Sequence, residues 1–182
     1  AGPAMPNFEA KCVNELGETV PQGEVGELWV RGSSVIKGYI NRPEATAESI
    51  TDGWLHTGDI ARIDEHGFIF IVDRMKDMVV SGGENVYSAE VENAVLKHPA
   101  IAACAVIGVP SEKWGESVHA VVVLKPGQDV SAAELIAHCK TLIAGYKCPR
   151  SVEVRAELPL SGAGKIQKNK LRETHWAGRG RQ

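Results

Sequence analysis

The run DRMKDMVVSGGEN, residues 73–85, constrains the fold more than any other stretch: an apolar strand ends in charge there, and a glycine pair follows within ten residues. Before it the chain reads as short β elements. After it, two amphipathic helices alternate with strands, and a basic tail closes on SGAGKIQKNKLR. A charged joint between segments of such different texture reads as a linker between two domains, because its polar groups can be solvated in more than one arrangement.

With 182 residues, 43% of them apolar, the chain has room for one domain of common size or two small ones with real cores. Its longest apolar runs, FIFIV (68–72) and AVVV (120–123), are far too short to cross a bilayer. No charged segment followed by an apolar one opens the sequence, so neither membrane insertion nor secretion is supported and the cytoplasm is the expected compartment. Cys12, Cys104, Cys139 and Cys148 are scattered and never reach C-x-x-C spacing, which indicates reduced, mostly buried thiols and neither a disulfide framework nor a metal site. Net charge is −3, but residues 147–182 carry nine Lys/Arg against three Glu, +6, leaving −9 for the rest. Such an imbalance suits an anionic small ligand such as a nucleotide phosphate. A nucleic-acid tail fits the charge as well, yet the segment has one aromatic residue after Tyr146, Trp176, and no recognised nucleic-acid motif.

In chain order, NELGE (14–18) is a turn, and ELWVR (27–31) alternates so that Leu28 and Val30 share a face. A short helix is expected at RPEATAESI with Pro43 at its first position, where the missing N–H costs nothing. Strands around 60–63 and 68–72 are joined by DEHG, with Gly67 able to take positive φ. Beyond the joint, SAEVENAVLKHP places Ala89, Val91, Ala94 and Val95 on one side of a helix capped by Ser88 and followed by Pro99. IAACAVIGVP, SVHAVVVL and SVEVRAELP are strands. SAAELIAHCKTLIAGY opens with a capping box, Ser131 with Glu134, buries Leu135, Ile136 and Leu142, and stops at Gly145. The expected fold is α+β: a small C-terminal α/β domain, β-α-β-β-α-β, preceded by a partial β subdomain. The boundaries are 1–72 for the β subdomain, 73–77 for a hinge and 78–182 for the C-terminal domain.

Several residues carry possible chemistry, each with a plain structural alternative. Asp59, in HTGD where a loop meets a strand, is either a solvated turn carboxylate or an acceptor for the two hydroxyls of a vicinal diol such as a ribose. Arg74 is a surface cation or a contact to the same sugar. Gly82 and Gly83 form an ordinary strand-to-helix turn, or let a thin ligand pass close to the backbone. SGAGKIQKN (161–169) is not a Walker loop, since GxxxxGK[ST] is unsatisfied and Ile166 stands where a magnesium-binding hydroxyl belongs. It presents Lys165 on a flexible loop, either as a solvated tail cation or as a charge delivered to an oxyanion.

Taken together, GELWVRG with KGY, NRPEAT, GWLHTGD, DRMKDMVVSGGENVYSAEVE, IGVPSEKWGE and PLSGAGKIQKNKLR closely resemble the adenylate-forming enzymes, specifically the acyl-CoA synthetase branch, over nearly all of the chain. The resemblance implies a ligase that joins a carboxylic acid to coenzyme A. The acid first reacts with Mg-ATP to give an acyl-adenylate and pyrophosphate. The C-terminal domain then swings and CoA attacks to form a thioester. It further implies that Asp59 holds the ribose hydroxyls with support from Arg74, that Lys76 is the hinge, and that Lys165 bridges the substrate carboxylate and α-phosphate. Gly82 and Gly83 then line the pantetheine path, Trp114 and Tyr146 flank the CoA adenine, and Lys147 and Arg150 lie near its phosphates. Trp114 as a core indole is the alternative. ATP with Mg²⁺ and CoA are expected as substrates, with no metal resident in this chain and no nucleic-acid partner.

Three departures accompany the resemblance: His56 precedes TGD in place of Tyr, Phe or Arg, Lys76 stands where relatives often carry Asp, and Cys148 occupies a place where some carry a basic residue. The family's ATP phosphate loop and acyl pocket, which belong to a large N-terminal domain, have no counterpart here. The chain is therefore expected to be a piece that needs that missing N-terminal domain as a partner and is inactive alone. Fatty or aromatic acids are the expected substrates. Alternatives are an acyl-AMP ligase or adenylation domain that loads a carrier protein, and a non-catalytic binding module of the same fold.

Overall fold

The structure, a computed structural model, describes residues 2–178. Its chain divides into two units, residues 1–76 and 77–182.

Alternation along the strands builds the first unit. Its elements are β1 (Gly2–Pro3), β2 (Phe8–Val13), β3 (Val25–Gly32), α1 (Pro43–Ser49), β4 (Ile50–Thr51), β5 (Trp54–Ile63) and β6 (Phe68–Arg74). They form an antiparallel sheet in the order β1-β6-β5-β3-β2, with β4 also against β5. One face buries Cys12, Leu28, Ala61 and Ile69, with Val30 packed against them, as the period of two requires. Asn14 makes the first turn by accepting the Leu16 and Glu18 N–H groups at 3.0 Å, and Asp64 does the same for His66 and Phe68 around Gly67 at φ +80°. Helix α1 starts on Pro43 as expected. One expectation is corrected: HTGD lies inside β5, which begins at Trp54, so Asp59 is a mid-strand residue and not one at a loop–strand junction.

A 3₁₀ turn, Met75–Asp77, crosses the boundary. The second unit then runs β7 (Val79–Ser81), β8 (Glu84–Val86), α2 (Ser88–Leu96), β9 (Ile101–Ser111), β10 (Gly115–Leu124), α3 (Ala132–Lys140), β11 (Ser151–Val154) and α4 (Lys168–Trp176). Central β10 pairs antiparallel with β9 along its length, and its other edge takes β7 at Gly115↔Ser81 and parallel β11 from His119↔Ser151 to Val122↔Val154. Both faces are covered. On one, α2 and α3 bring Val91, Val95, Leu135 and Cys139 onto Cys104, Val106, Ala120 and Val122; on the other, Leu158, from the segment after β11, and Leu171, from α4, cover Ala105, Ile107 and Val121. Burial on both sides is why β9 and β10 read as unbroken apolar runs.

Three local expectations are corrected. The first strand of the β-α-β-β-α-β unit is a hairpin, β7 and β8, and Gly82-Gly83 is its two-residue turn, not a strand-to-helix connection. Ser88 does not cap α2; Tyr87 holds the cap position and makes no side-chain capping bond, and Ser88 is fully buried inside the first turn. The Ser131–Glu134 capping box forms, but α3 ends at Lys140, so Leu142 lies beyond it and 42% exposed while Cys139 fills the core. The basic tail, to which no helix is assigned from sequence, contains α4, anchored by a Leu171 with no exposure. The four cysteines are free and buried. Burial raises all four thiols above their ordinary value, Cys139 to about 11. Among the described residues no helix is long and apolar enough to cross a membrane.

Candidate functional site

In the first unit, strand register brings Asp59 and Arg74 together: they are direct partners across β5 and β6, and Arg74 Nε donates to Asp59 Oδ1 at 2.6 Å. The pairing shifts between Ile60 and Ala61 and again between Glu27 and Trp29, so irregularities lie on both sides of Asp59. Bulges of this kind re-aim a side chain. Gly58, at φ +67°, donates its N–H to Glu27 Oε1 at 3.2 Å, and Asp59 N–H donates to Thr57 Oγ1 at 3.1 Å. Thr57 in turn donates to the Leu28 carbonyl at 2.7 Å. The carboxylate therefore stands on a backbone held by β3 and is partly open to solvent. A fixed acceptor beside a guanidinium of this kind can receive the hydroxyls of a polyol. His56 stacks on Trp29 at 3.9 Å between ring centroids, which gives this departure from the resemblance a packing role.

In the second unit, the Gly82-Gly83 turn, Trp114 and Arg150 meet. Both glycines have positive φ, +65° and +85°, which the tight turn between β7 and β8 demands. Gly82 N–H donates to the Trp114 carbonyl at 2.9 Å, and a Cβ on Gly82 would sit 2.8 Å from Trp114 Cε3. The indole is half-buried rather than core, with the Arg150 guanidinium 4.7 Å from it and Lys113 Nζ at 4.6 Å. Arg150 also donates to Ser81 Oγ at 2.9 Å. This is a flat aromatic platform bordered by cations and bare backbone. Tyr146, 44% exposed, lies after α3, and its neighbour Lys147 donates to both oxygens of Glu90 at 2.8 Å. That bond raises the Lys147 pKa above its usual value.

Lys165 occupies a turn tied by backbone bonds: Ser161 N–H to the Lys165 carbonyl at 2.8 Å, Gly164 N–H to the Ser161 carbonyl at 2.9 Å, and Lys165 N–H to Ser161 Oγ at 3.1 Å. Its side chain is exposed, and no carboxylate among the described residues pairs with it. Other cations of the basic end serve the fold. Lys168 bonds Glu92 and Ser88 Oγ, both at 2.7 Å, Arg172 bonds Asp77 at 2.8 Å, and Arg155 bonds Glu153. Part of the +6 excess thus neutralises the acidic body and does not wait for a ligand. Arg179 and Arg181 lie outside the described residues. Lys76 is exposed in the 3₁₀ turn, at the end of the first unit.

Sequence reasoning missed the supports. Glu116 is buried and accepts the Val80 N–H at 3.2 Å, while Glu92 accepts the Val106 N–H at 2.8 Å. Only their placement within EKWGE and SAEVENAVL was legible, since no spacing rule pairs a carboxylate with a backbone N–H across a sheet.

Residues 90–165 match the AMP-binding enzyme C-terminal domain, and residues 1–40 match the AMP-binding enzyme family. A feruloyl-CoA synthase from Amycolatopsis sp is 51% identical over 170 residues, 92% of this chain and 35% of its own. A long-chain-fatty-acid–CoA ligase from Escherichia coli is 46% identical over 172 residues, 94% of this chain and 30% of its own. Among solved structures, ATP-bound MatB from Rhodopseudomonas palustris superposes with a TM-score of 0.91 at 39% identity, covering 98% of this chain and 36% of that one. The o-succinylbenzoate CoA synthetase from Bacillus subtilis, in complex with its acyl-adenylate, gives 0.85 at 41%, covering 92% and 34%. The chain spans about a third of the length of these relatives. It belongs to the adenylate-forming, AMP-binding enzymes, and the part of them that it carries includes their C-terminal domain.

Proposed function

We propose that this chain is the C-terminal part of a cytoplasmic, ATP-dependent carboxylic acid–CoA ligase that forms an acyl-adenylate and then an acyl-CoA thioester. Relatives named for feruloyl and long-chain fatty acids support aromatic and fatty acids as its substrate classes. The observation that carries the reading is Lys165: an exposed ammonium on a hydrogen-bonded turn, in a segment where Lys168 and Arg172 are already spent on Glu92 and Asp77.

In the first half-reaction a carboxylate oxygen attacks the α-phosphorus of Mg-ATP, and the bond to pyrophosphate breaks. Negative charge builds on the phosphoryl oxygens, and Lys165 supplies a positive charge there. Asp59 receives the ribose hydroxyls and Arg74 orients it. In the second, the CoA thiolate displaces AMP. Pantetheine passes Gly82 and Gly83, where no side chain stands, and the adenine lies on Trp114 with Tyr146 as the second ring. Arg150, and Lys147 once it exchanges Glu90 for phosphate, meet the nucleotide's anionic groups. Residues 73–77, with Lys76 as the hinge residue, are the hinge between domains 1–72 and 78–182. A carrier-protein arm brings no adenine, so the indole bordered by Arg150 favours free CoA as acceptor; titration with CoA against a holo carrier protein separates the two.

In the full-length enzyme, Lys165→Ala lowers acyl-adenylate formation by about two to three orders of magnitude, the scale of losing one preorganised charge stabiliser. Thioester formation from supplied acyl-adenylate changes far less. Equal losses in both steps refute the assignment.

A further inference from the structure

On the α4 face of the second sheet, residues from three elements converge without any role in the proposed ligase chemistry. His119 lies on β10, Glu153 on β11 and His175 on α4. Their ligand-capable atoms all lie within 4.8 Å of one another: His119 Nε2 is 3.5 Å and His175 Nε2 3.9 Å from the same oxygen, Glu153 Oε2. His119 is only 6% exposed, and both Nε2 atoms are buried without a hydrogen-bond partner. Buried nitrogens left in that state cost stability unless something binds them.

We propose that His119 Nε2, His175 Nε2 and Glu153 Oε2 form a site for a divalent transition-metal ion of the zinc class. The outer groups fit. His119 Nδ1 lies 2.7 Å from Ser151 Oγ, and in the tautomer that donates Nδ1–H to the hydroxyl, the Nε2 lone pair points into the cluster. Arg155 bonds Glu153 Oε1 and so leaves Oε2 to the site, although its positive charge weakens cation binding. Metal–ligand bonds of about 2.0–2.1 Å in a tetrahedron place ligand atoms about 3.3 Å apart. Two of the observed separations exceed that by less than 1 Å, within the reach of small side-chain rotations. Two imidazoles with one carboxylate suit zinc, cobalt or nickel rather than the all-oxygen shells of magnesium or calcium. His175 and Glu153 are 30% and 34% exposed, so solvent can deliver the ion and supply the fourth ligand. The bound ion would staple α4 to the sheet, and α4 begins three residues after Lys165. Sequence spacing concealed the cluster, because its ligands come from separate strands and a helix.

The test uses the full 182-residue chain, stripped with chelator, then titrated with Zn²⁺ by calorimetry and with Co²⁺ by visible absorption. One ion binds per chain, Co²⁺ gives the intense d–d band of a four-coordinate site, and Mg²⁺ gives no saturable heat. Zinc slows amide exchange in α4. His175→Ala and Glu153→Gln weaken Zn²⁺ binding by more than about 100-fold and abolish the slowing, and Ser151→Ala weakens it by about 10–100-fold, as loss of an outer-shell partner does. His138→Ala, on α3, leaves it unchanged. His175 is half-buried, so its variant decides the matter even where His119→Ala fails to fold. Absence of saturable Zn²⁺ binding, or an affinity untouched by His175→Ala, overturns the proposal.

Discussion

Replacing each glycine of the β7–β8 turn with alanine separates two costs that usually arrive together. Gly82 and Gly83 both have left-handed backbones, φ +65° and +85°, so either alanine pays about 1–2 kcal/mol for its Cβ in that region. Only one of them meets anything further. A Cβ at Gly83 has nothing within 4 Å, whereas at Gly82 it falls 2.8 Å from Trp114 Cε3 and 3.2 Å from Cζ3. Van der Waals contact asks for about 3.5–4.0 Å, so the ring must retreat by about 1 Å. That movement loosens its stacking with Arg150, now at 4.7 Å, which adds about 0.5–1 kcal/mol at a partly exposed site. Gly83→Ala therefore destabilises the second unit by about 1–2 kcal/mol and Gly82→Ala by about 1.5–3. The assay is urea unfolding, together with the Trp114 indole N–H signal assigned through Trp114→Phe. That signal shifts in Gly82→Ala and stays in place in Gly83→Ala. Equal stabilities with an unmoved indole in both variants refute the contact, and with it the case that the glycine at 82 exists to seat the ring.

Lys168→Met leaves Glu92, 19% exposed, without this cation and costs about 1–3 kcal/mol, between a surface pair and a fully buried one, read as a lower urea midpoint; a loss below about 0.5 kcal/mol means solvent already screens the pair. Burial holds Cys139 at about 11 against an ordinary 9.0, so the folded state keeps a proton that the unfolded chain releases, and stability falls as pH rises from about 9 to about 11. Thiol titration with a chromogenic disulfide at pH 8 is correspondingly slow for the folded chain and fast in denaturant; rapid labelling of the folded chain contradicts this burial. Lys76→Pro fixes φ near −65°, a value a 3₁₀ turn accepts, so each unit keeps its stability while the full-length enzyme forms thioester at least about 10-fold more slowly than it forms adenylate. Unchanged rates for both steps dismiss the hinge.

The parts of the fold visible in the sequence were those governed by local rules. Alternation placed Leu28 with Val30, Asn14 and Gly67 marked their turns, Pro43 opened α1, and Ser131 with Glu134 closed a capping box that forms in full. What failed depended on partners distant in the chain. Ser88 looks like a helix cap until Lys168, eighty residues on, is seen to bond it. KNKLRETHW carries no apolar stripe, and it is ordered by the fit of Leu171 against Ile107 and Val121 together with the bonds of Lys168 to Glu92, Arg172 to Asp77 and Trp176 to the Gly108 carbonyl. The candidate site divides the same way. Asp59 and Arg74 stood out as residue types, but their pairing at 2.6 Å follows from a shifted register that no spacing rule supplies. Trp114 and Gly82 belong to separate hairpins, and only the sheet brings them into contact.

The ion pairs also bracket the proposed hinge. Arg74 is bonded to Asp59 within the first unit, and Asp77 is bonded to Arg172 within the second. Between these anchors lie Met75 and Lys76, both exposed, with two soft backbone torsions each. Neither side chain belongs to a buried core cluster. Outside those two residues any rotation must break a charge-assisted bond, and Arg172–Asp77 is the stiffer stop, since its side chains are 12% and 16% exposed against 56% and 24% for Arg74–Asp59. An exposed, polar residue at position 76 suits the proposed hinge, whereas an apolar residue would favour whichever arrangement buried it.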